Sequence, residues 1–472
     1  RGSGLDFAGY CMGVAIGDVD NDGLPDVLVT EYGRIRLFLN RGGGKFVPAD
    51  VDCGLDSSLW GTSACFFDYD KDGWLDLVVV NYVAYDRAWP CKSPGGGADY
   101  CHPSVFPGTV AKLFHNVTGK AKGAPGARPV RFEDTTVASG LARLPGPGLG
   151  VTCADFNGDG WPDIFVANDA QPNRLWINQK DGTFKEEAVA RGLAYDAYGR
   201  SLANMGVALG DTHGDGFFDL FVTHLPEETN TLWRQKPRGL FVESTADSGL
   251  LRAGWRATGF GTVLADFNHD GLLDLAIVNG RVVRARGQGP AATFWDGYAE
   301  RNQLFAGEGP GCFRDVSPDN PALCGTSNVA RGLAVGDVNG DGALDLLVTT
   351  AGGRARLLKN VAPDRGHWLM VRALDPTLKR DAYGAEVTIE AGGRNRVAWI
   401  NPGQSYLSSH DPRAHFGLGS TASIDAIRIL WPDGTLERFP GGAADRVLVL
   451  RKGDGTTVSR PPAGPGKAAA PS

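Results

Sequence analysis

Several familiar pieces of catalytic machinery are missing from this 472-residue chain. It has no Ser-His-Asp order, nucleophile elbow, CxxC pair, phosphate loop or HExxH motif. Those absences remove the usual signatures of serine hydrolases, thiol oxidoreductases, nucleotide hydrolases and zinc proteases. No run of about 18 apolar residues occurs, so no membrane span is expected. A basic tract with interleaved aromatics is also lacking, and nucleic acid is therefore not an expected partner.

What the chain has instead is aspartate and glycine in register. Six nine-residue loops run Asp18–Asp26, Asp68–Asp76, Asp155–Asp163, Asp211–Asp219, Asp266–Asp274 and Asp337–Asp345. Oxygen side chains stand at loop positions 1, 3, 5 and 9 in five copies, and glycine always holds position 6. A sharp turn at that glycine would let the carbonyl of position 7 join an oxygen cage for a hard cation, as in an EF-hand loop. The expected calcium ligands are Asp18, Asp20, Asp22, Leu24 and Asp26 in the first loop and Asp68, Asp70, Asp72, Trp74 and Asp76 in the second. The third uses Asp155, Asn157, Asp159, Trp161 and Asp163, the fifth Asp266, Asn268, Asp270, Leu272 and Asp274, and the sixth Asp337, Asn339, Asp341, Ala343 and Asp345. The fourth has Asp211, Asp215, Phe217 and Asp219, with His213 at position 3; imidazole suits softer metals, so this loop is expected to be the weakest. Up to six Ca2+ are expected. These loops hold 20 of the 54 acidic residues, and six divalent ions, bringing twelve positive charges, would take the formal −7 to +5. The acidity is thus mainly metal ligand.

The flanks are not helical, and no loop ends on the Glu that closes an EF-hand. Val14-Ala-Ile-Gly enters the first loop and Val27-Leu-Val-Thr leaves it, and the pattern recurs at Leu77, Ile164, Leu220, Leu275 and Leu346. Such β-branched runs bounded by Gly and Asp are strands, so each loop is a hairpin turn. A third segment (Arg36–Asn40, Lys112–Asn116, Arg174–Asn178, Arg356–Asn360) and a fourth (at Phe46, Phe132, Phe184, Phe241) follow. Most copies then close on a small-Gly-Leu step, as at Gly54-Leu55 and Gly140-Leu141. Four strands per unit of roughly 50 residues predict an all-β propeller over residues 1–360. Six blades are counted, and seven remain open because the last unit has no fourth strand of its own; Leu5-Asp6-Phe7 could close the ring. Strands at His367–Leu374, Ala385–Glu390, Arg396–Ile400, Ala426–Trp431 and Arg446–Leu450 predict a small antiparallel β-sandwich over 361–452, with a disordered tail over 453–472.

The six repeats resemble FG-GAP/VCBS repeats. The stretches Arg380–Ala385, Tyr406–Gly419 and Trp431–Gly434 resemble the ASPIC/UnbV domain. Together they are similar to the cartilage acidic protein family, in its bacterial form. The resemblance implies a calcium-binding propeller and an adhesion-like extracellular role more firmly than it implies any activity.

Eight cysteines agree with an exported, secreted or periplasmic chain. Cys91 with Cys101, and Cys312 with Cys324, suit loop-pinning disulfides; Cys11 and Cys53 could pair, and Cys65 and Cys153 suit buried thiols. Arg1 falls inside the end of a repeat, which points to a removed leader or a trimmed segment. Asn116-Val-Thr118 is a glycosylation sequon.

If every cation loop joins first and second strands, all six lie on one propeller face. The large insertions, 81–109, 279–302 and 312–328, then lie on the other, where binding is expected. Candidate ligand-binding residues there are Trp60, Asn81, His102, Asn168, Asn204, Asn279 and Arg331. Asp169, His224, Glu227 and Arg256 are candidate catalytic groups, provided that separate blades bring them together. The alternative for the asparagines is capping of strand ends, and for His410, Asp411 and His415 a structural role rather than a transition-metal site. Two functions follow. One is a secreted, calcium-stabilised binder of a glycan, matrix or protein partner. The other is a lyase, hydrolase or biosynthetic cyclase acting on a small molecule at the channel mouth.

Overall fold

The computed structural model describes residues 2–50, 52–92, 96–97, 99–120, 129–285 and 293–459. Six antiparallel sheets follow one another, five of four strands and the last of three, each meandering in chain order. The first is Cys11–Gly17, Asp26–Glu31, Arg34–Asn40 and Phe46–Pro48; the sixth is Ala330–Gly336, Asp345–Thr350 and Arg356–Leu358. Every cation loop is the turn between first and second strands, as in the Gly17–Asp26 pair. Position 6 needs glycine because its φ is positive in all six copies, from 83° at Gly216 to 97° at Gly23.

Inner strands of blades two to four, Gly61–Phe67, Gly148–Ala154 and Val207–Gly210, are buried on both faces. Blade three, for example, packs Phe165 and Ala167 against blade four and Ile164 and Val166 against blade two. A second device repeats at the rim. The side-chain amides of Asn116, Asn178, Gln235 and Asn360 each donate to a loop carbonyl of the preceding blade, at Val19, Tyr69, Phe156 and Phe267. In blade one the equivalent Asn40 donates only to Pro25 of its own loop. Blade six leaves Leu347 and Leu357 43% and 56% exposed, and its inner strand makes no comparable return onto that of blade one. The seam between blades six and one is therefore the loosest in the ring. The N-terminal segment does not supply the missing strand: Ser3 accepts from Phe46 N, and Phe7 stacks on Phe38, both in blade one.

Residues 367–457 form two sheets. One orders Arg380–Asp381, His367–Asp375 and Ala414–Gly419, and the other Arg394–Trp399, Glu386–Ala391, Ser423–Leu430, Leu436–Ala443 and Thr456–Thr457. The expected antiparallel arrangement has one exception, since Arg446–Arg451 joins the first of these sheets and runs parallel to His367–Asp375. Order also reaches past Gly453, because Thr456–Thr457 pairs with Glu437–Arg438; the rest of the expected tail, 460–472, lies outside the described residues. Between the sheets lie Leu369, Val371, Val387, Ile389, Phe416, Ile427, Ile429 and Trp431.

This unit docks on the cation-loop face. Arg380 donates to Asn21 Oδ1 of loop one (3.0 Å) and Gly73 O of loop two (3.1 Å), and Tyr383 to Ile16 O. Gly366 N and Gly419 N donate to Asn268 O and His269 O of loop five. Arg413 and His415 donate to Asp337 O and Gly342 O of loop six. From this platform residues 401–411 enter the propeller channel. Ser405 exchanges both backbone hydrogen bonds with Val207 of blade four, and its hydroxyl accepts from Thr262 N of blade five. Leu407 O accepts from Val14 N of blade one, while its N–H donates to Ser63 Oγ of blade two. Asn401 donates to Cys153 O of blade three, and Asp411 N to Val335 O of blade six. All six inner strands thus end on one inserted loop.

Candidate functional site

Within each loop most carboxylate oxygens are already committed to backbone. Asp18 accepts from Asp22 N and Gly23 N, and Asp22 from Leu24 N. Asp26 accepts from Val19 N and Asn40 N and so fastens the hairpin to its third strand. The same pair of bonds recurs at Asp76, Asp163, Asp219, Asp274 and Asp345. Position 9 is therefore structural in every blade, whatever else it does. Position 3 is where the loops diverge. Asp20 is almost fully buried, yet its Oδ1 has no protein partner, whereas Asp70 of loop two accepts from Asp72 N. In that loop the buried oxygen without a partner is Oδ1 of the part-buried Asp68, at position 1. Asn157, Asn268 and Asn339 turn their amides onto the position-5 carboxylates Asp159, Asp270 and Asp341. His213 turns its Nδ1 onto Asp219 (2.7 Å).

Three donor groups lie within 4.8 Å of one another in loops one and two: Asp18, Asp20 and Asp22, and Asp68, Asp70 and Asp72. Burial pushes Asp18 and Asp68 up to about 6 and Asp26 and Asp76 up to about 8, since packed carboxylates resist a buried charge. Orphaned, buried oxygens among crowded carboxylates fit a hard divalent cation, which would supply the missing charge. Loops three, four and six instead carry a base on the position-5 carboxylate: Lys180 on Asp159 (3.2 Å), Arg234 on Asp215 (2.8 Å) and Lys359 on Asp341 (3.3 Å).

On the opposite face the asparagine amides are committed to backbone carbonyls, while Oδ1 of Asn81 and of Asn279 is buried without a protein partner. Asn81 donates to Val79 O and Val110 O, Asn168 to Pro172 O, Asn204 to Asn168 O and Leu202 O, and Asn279 to Arg301 O. His224 takes the blade-four place that Asn81, Asn168 and Asn279 hold in theirs, fully buried between Ala203 O and Thr231 Oγ1. Glu227 and Arg256 are exposed. No hydrogen bond or ion pair joins any two of Asp169, His224, Glu227 and Arg256 among the described residues. Asp169 instead accepts from Tyr82 Oη (2.6 Å), and burial pushes its pKa up. Trp60 packs edge-on to Tyr32, Tyr82 and Tyr85. His102 is exposed and caps the short helix at Pro103. Arg331 donates to Gly280 O and Arg281 O with its guanidinium 3.9 Å over Phe260. Asp411 is bound to Arg413, so His410, Asp411 and His415 form no metal cluster.

Sequence reasoning missed what joins the insertions. Tyr298 from the blade-five insertion donates to Asp99 of the blade-two insertion (2.6 Å), and Tyr100 packs on the Tyr298 ring. Below them Tyr406, carried in by the inserted loop, lies in the field of Arg331, Asp169 and Tyr100. The Cys91–Cys101 disulfide pins the first insertion as expected. Cys312 and Cys324 do not pair: Cys312 is exposed at a strand start and Cys324 is buried in a helical turn. Cys11 and Cys53 are likewise free, one exposed and one buried, and Cys65 and Cys153 are buried thiols. Asn116 is fully buried, so its sequon is inaccessible in the folded chain.

Fold and loops together define a β-propeller with acidic hairpin turns, capped on the turn face by a second β unit. The FG-GAP-like repeat family matches residues 8–79, 155–222 and 211–277, the FG-GAP repeat family residues 329–360, and the ASPIC and UnbV family residues 375–457. The chain is thus an FG-GAP-repeat protein with an ASPIC/UnbV domain, homologous to cartilage acidic protein 1. It is 25% identical over 460 residues to that protein of Xenopus tropicalis, covering 91% of this chain and 62% of the relative. To the Homo sapiens protein it is 24% identical over 492 residues, covering 97% and 65%. The chain therefore spans under two thirds of the length of these relatives. A lectin of Agrocybe aegerita that recognises non-reducing terminal N-acetylglucosamine is similar at TM-score 0.43 and 17% identity, over 74% of this chain and 81% of the lectin. Among the described residues no helix is long and apolar enough to cross a membrane.

Proposed function

We propose that this chain is an extracytoplasmic, calcium-stabilised propeller that binds a glycan, matrix or protein partner through the insertion-bearing face. One observation carries the reading. All six exposed aromatics among the described residues, Tyr10, Trp89, Tyr100, Tyr195, Tyr198 and Phe294, lie on connections of that face. Rigid aromatic side chains with a polar edge are the groups that anchor binding sites at low entropic cost. The disulfide and the Asp99–Tyr298 bond hold several of them in place before any partner arrives. On the other face the acidic turns sit under the docked C-terminal unit, which favours a stabilising role for calcium there.

Glycan arrays and matrix-protein panels, run in millimolar calcium, test the reading. Trp89→Ala and Tyr100→Ala should each weaken the partner found by about tenfold or more, with melting midpoints little changed. Full binding by the double variant would place the partner elsewhere.

A further inference from the structure

Each blade has one residue that immediately precedes the position whose N–H donates to the position-9 carboxylate. It is Leu39, His115, Ile177, Arg234, Ala306 and Lys359 in blades one to six. Arg234 and Lys359 use the position to neutralise Asp215 and Asp341. Blade two alone places an imidazole there. His115 Nδ1 lies 3.1 Å from Asp76 Oδ1 and 3.5 Å from Asp70 Oδ2. These three groups form a metal-capable cluster of their own, beside the one made by Asp68, Asp70 and Asp72. Asp68 adds a buried Oδ1 that nothing in the protein satisfies.

We propose that the second loop is a mixed nitrogen–oxygen site that selects a borderline divalent ion of the zinc class over calcium, with His115 as the discriminating ligand. The inference rests on the cation reading of the loops. Ligand atoms bound tetrahedrally at about 2.0–2.2 Å to one ion stand about 3.3–3.6 Å apart. The 3.5 Å separation of His115 from Asp70 already fits, and the 3.1 Å hydrogen bond from His115 to Asp76 would open only slightly to admit the ion. Calcium gains little from a neutral nitrogen donor, whereas zinc takes imidazole and carboxylate together. Loop one, equally rich in carboxylate, carries Leu39 at the equivalent place and serves as the internal control.

The whole chain, stripped of metal and returned to millimolar calcium, is titrated with Zn2+ and separately with Co2+. Bound metals are counted by mass spectrometry, and the cobalt absorption bands are recorded. One zinc per chain should bind against calcium, and the cobalt spectrum should carry an imidazole signature. His115→Gln, which keeps an amide donor for Asp76, should weaken zinc by about tenfold or more while the calcium count of the other loops stays fixed. His115→Ala checks that the loss is not peculiar to glutamine. Zinc affinity unchanged in both variants, or no zinc retained against calcium, would overturn the proposal. Zinc held through His115 with no calcium on any loop would instead sink the general calcium reading alone.

Discussion

At His224 a titratable ring stands in a position that three other blades fill with asparagine. Burial pushes its pKa down to about 3, against about 6.5 in an unfolded chain. The unfolded state therefore binds a proton below pH 6.5 that the folded state refuses until about pH 3. Stability is fully present above pH 6.5 and lost as pH falls, by about 1.4 kcal/mol at pH 5.5 from this residue. His224→Asn should flatten that slope in urea melts at pH 7.5 and 5.5. An identical slope in the variant would mean that the ring is solvated. The position also shows how far single residues were legible. Asp169 and His224 have the chemistry of an acid and a base, but the Tyr82 hydroxyl claims the first and Ala203 O with Thr231 Oγ1 the second, and sequence does not reveal that competition. The acidic turns are more legible, since six copies in register expose the hairpin geometry directly. Even there, the fixed bonds at position 9 and the reach of His115 depend on a third strand that lies far off in sequence.

Individual elements were the most readable level. Apolar runs around each acidic turn gave the first two strands of all six blades, and the glycine at position 6 gave the turn. The segment at 401–411 was unreadable for the same physical reason in reverse. It has no period, and it is held by partners on six strands with Ser405 and Leu407 in left-handed conformation. The contact of Arg380 with loops one and two is similar, being a buried side chain whose acceptors are distant in sequence. Replacing Arg380 with alanine strands Asn21 Oδ1 and leaves Gly73 O only the Asn21 amide, and should cost about 1–3 kcal/mol, with lysine a poor substitute for the two-pronged donor. Thermal melts measure the loss, and limited proteolysis near residue 362 reports whether the C-terminal unit has come loose. Unaltered cleavage and midpoint would show that the dock does not depend on this arginine.

Over the whole molecule, the turns, the docked unit and the inserted loop form one mechanical chain. On the proposed calcium reading, an emptied turn leaves three or four carboxylates facing one another under the surface on which residues 367–419 rest. An ion that binds only the folded form adds about 2.7 kcal/mol at a hundredfold excess over its dissociation constant. Calorimetry in millimolar calcium and in EDTA should therefore give midpoints several degrees apart or more. Hydrogen exchange should show residues 401–411 opening in EDTA before the inner strands of blades three and four. Simultaneous opening of all these segments would argue that the turns do not govern the dock.

The inserted loop also sets an order of events. Val14, Ser63, Val207, Thr262 and Val335 have partners that are synthesised only when residues 405–411 leave the ribosome. Blades can form locally as they emerge, but the ring cannot be sealed in the usual N-terminal-first manner. Contacts this remote in sequence are slow to close, and until then the bore and the faces of blades one and six are exposed. A chain cut at residue 360 should accordingly collect as soluble aggregates or chaperone-bound material, and adding residues 361–459 in trans should rescue part of it. A ring that waits for residues 405–411 has a long interval in which its shape is not yet fixed.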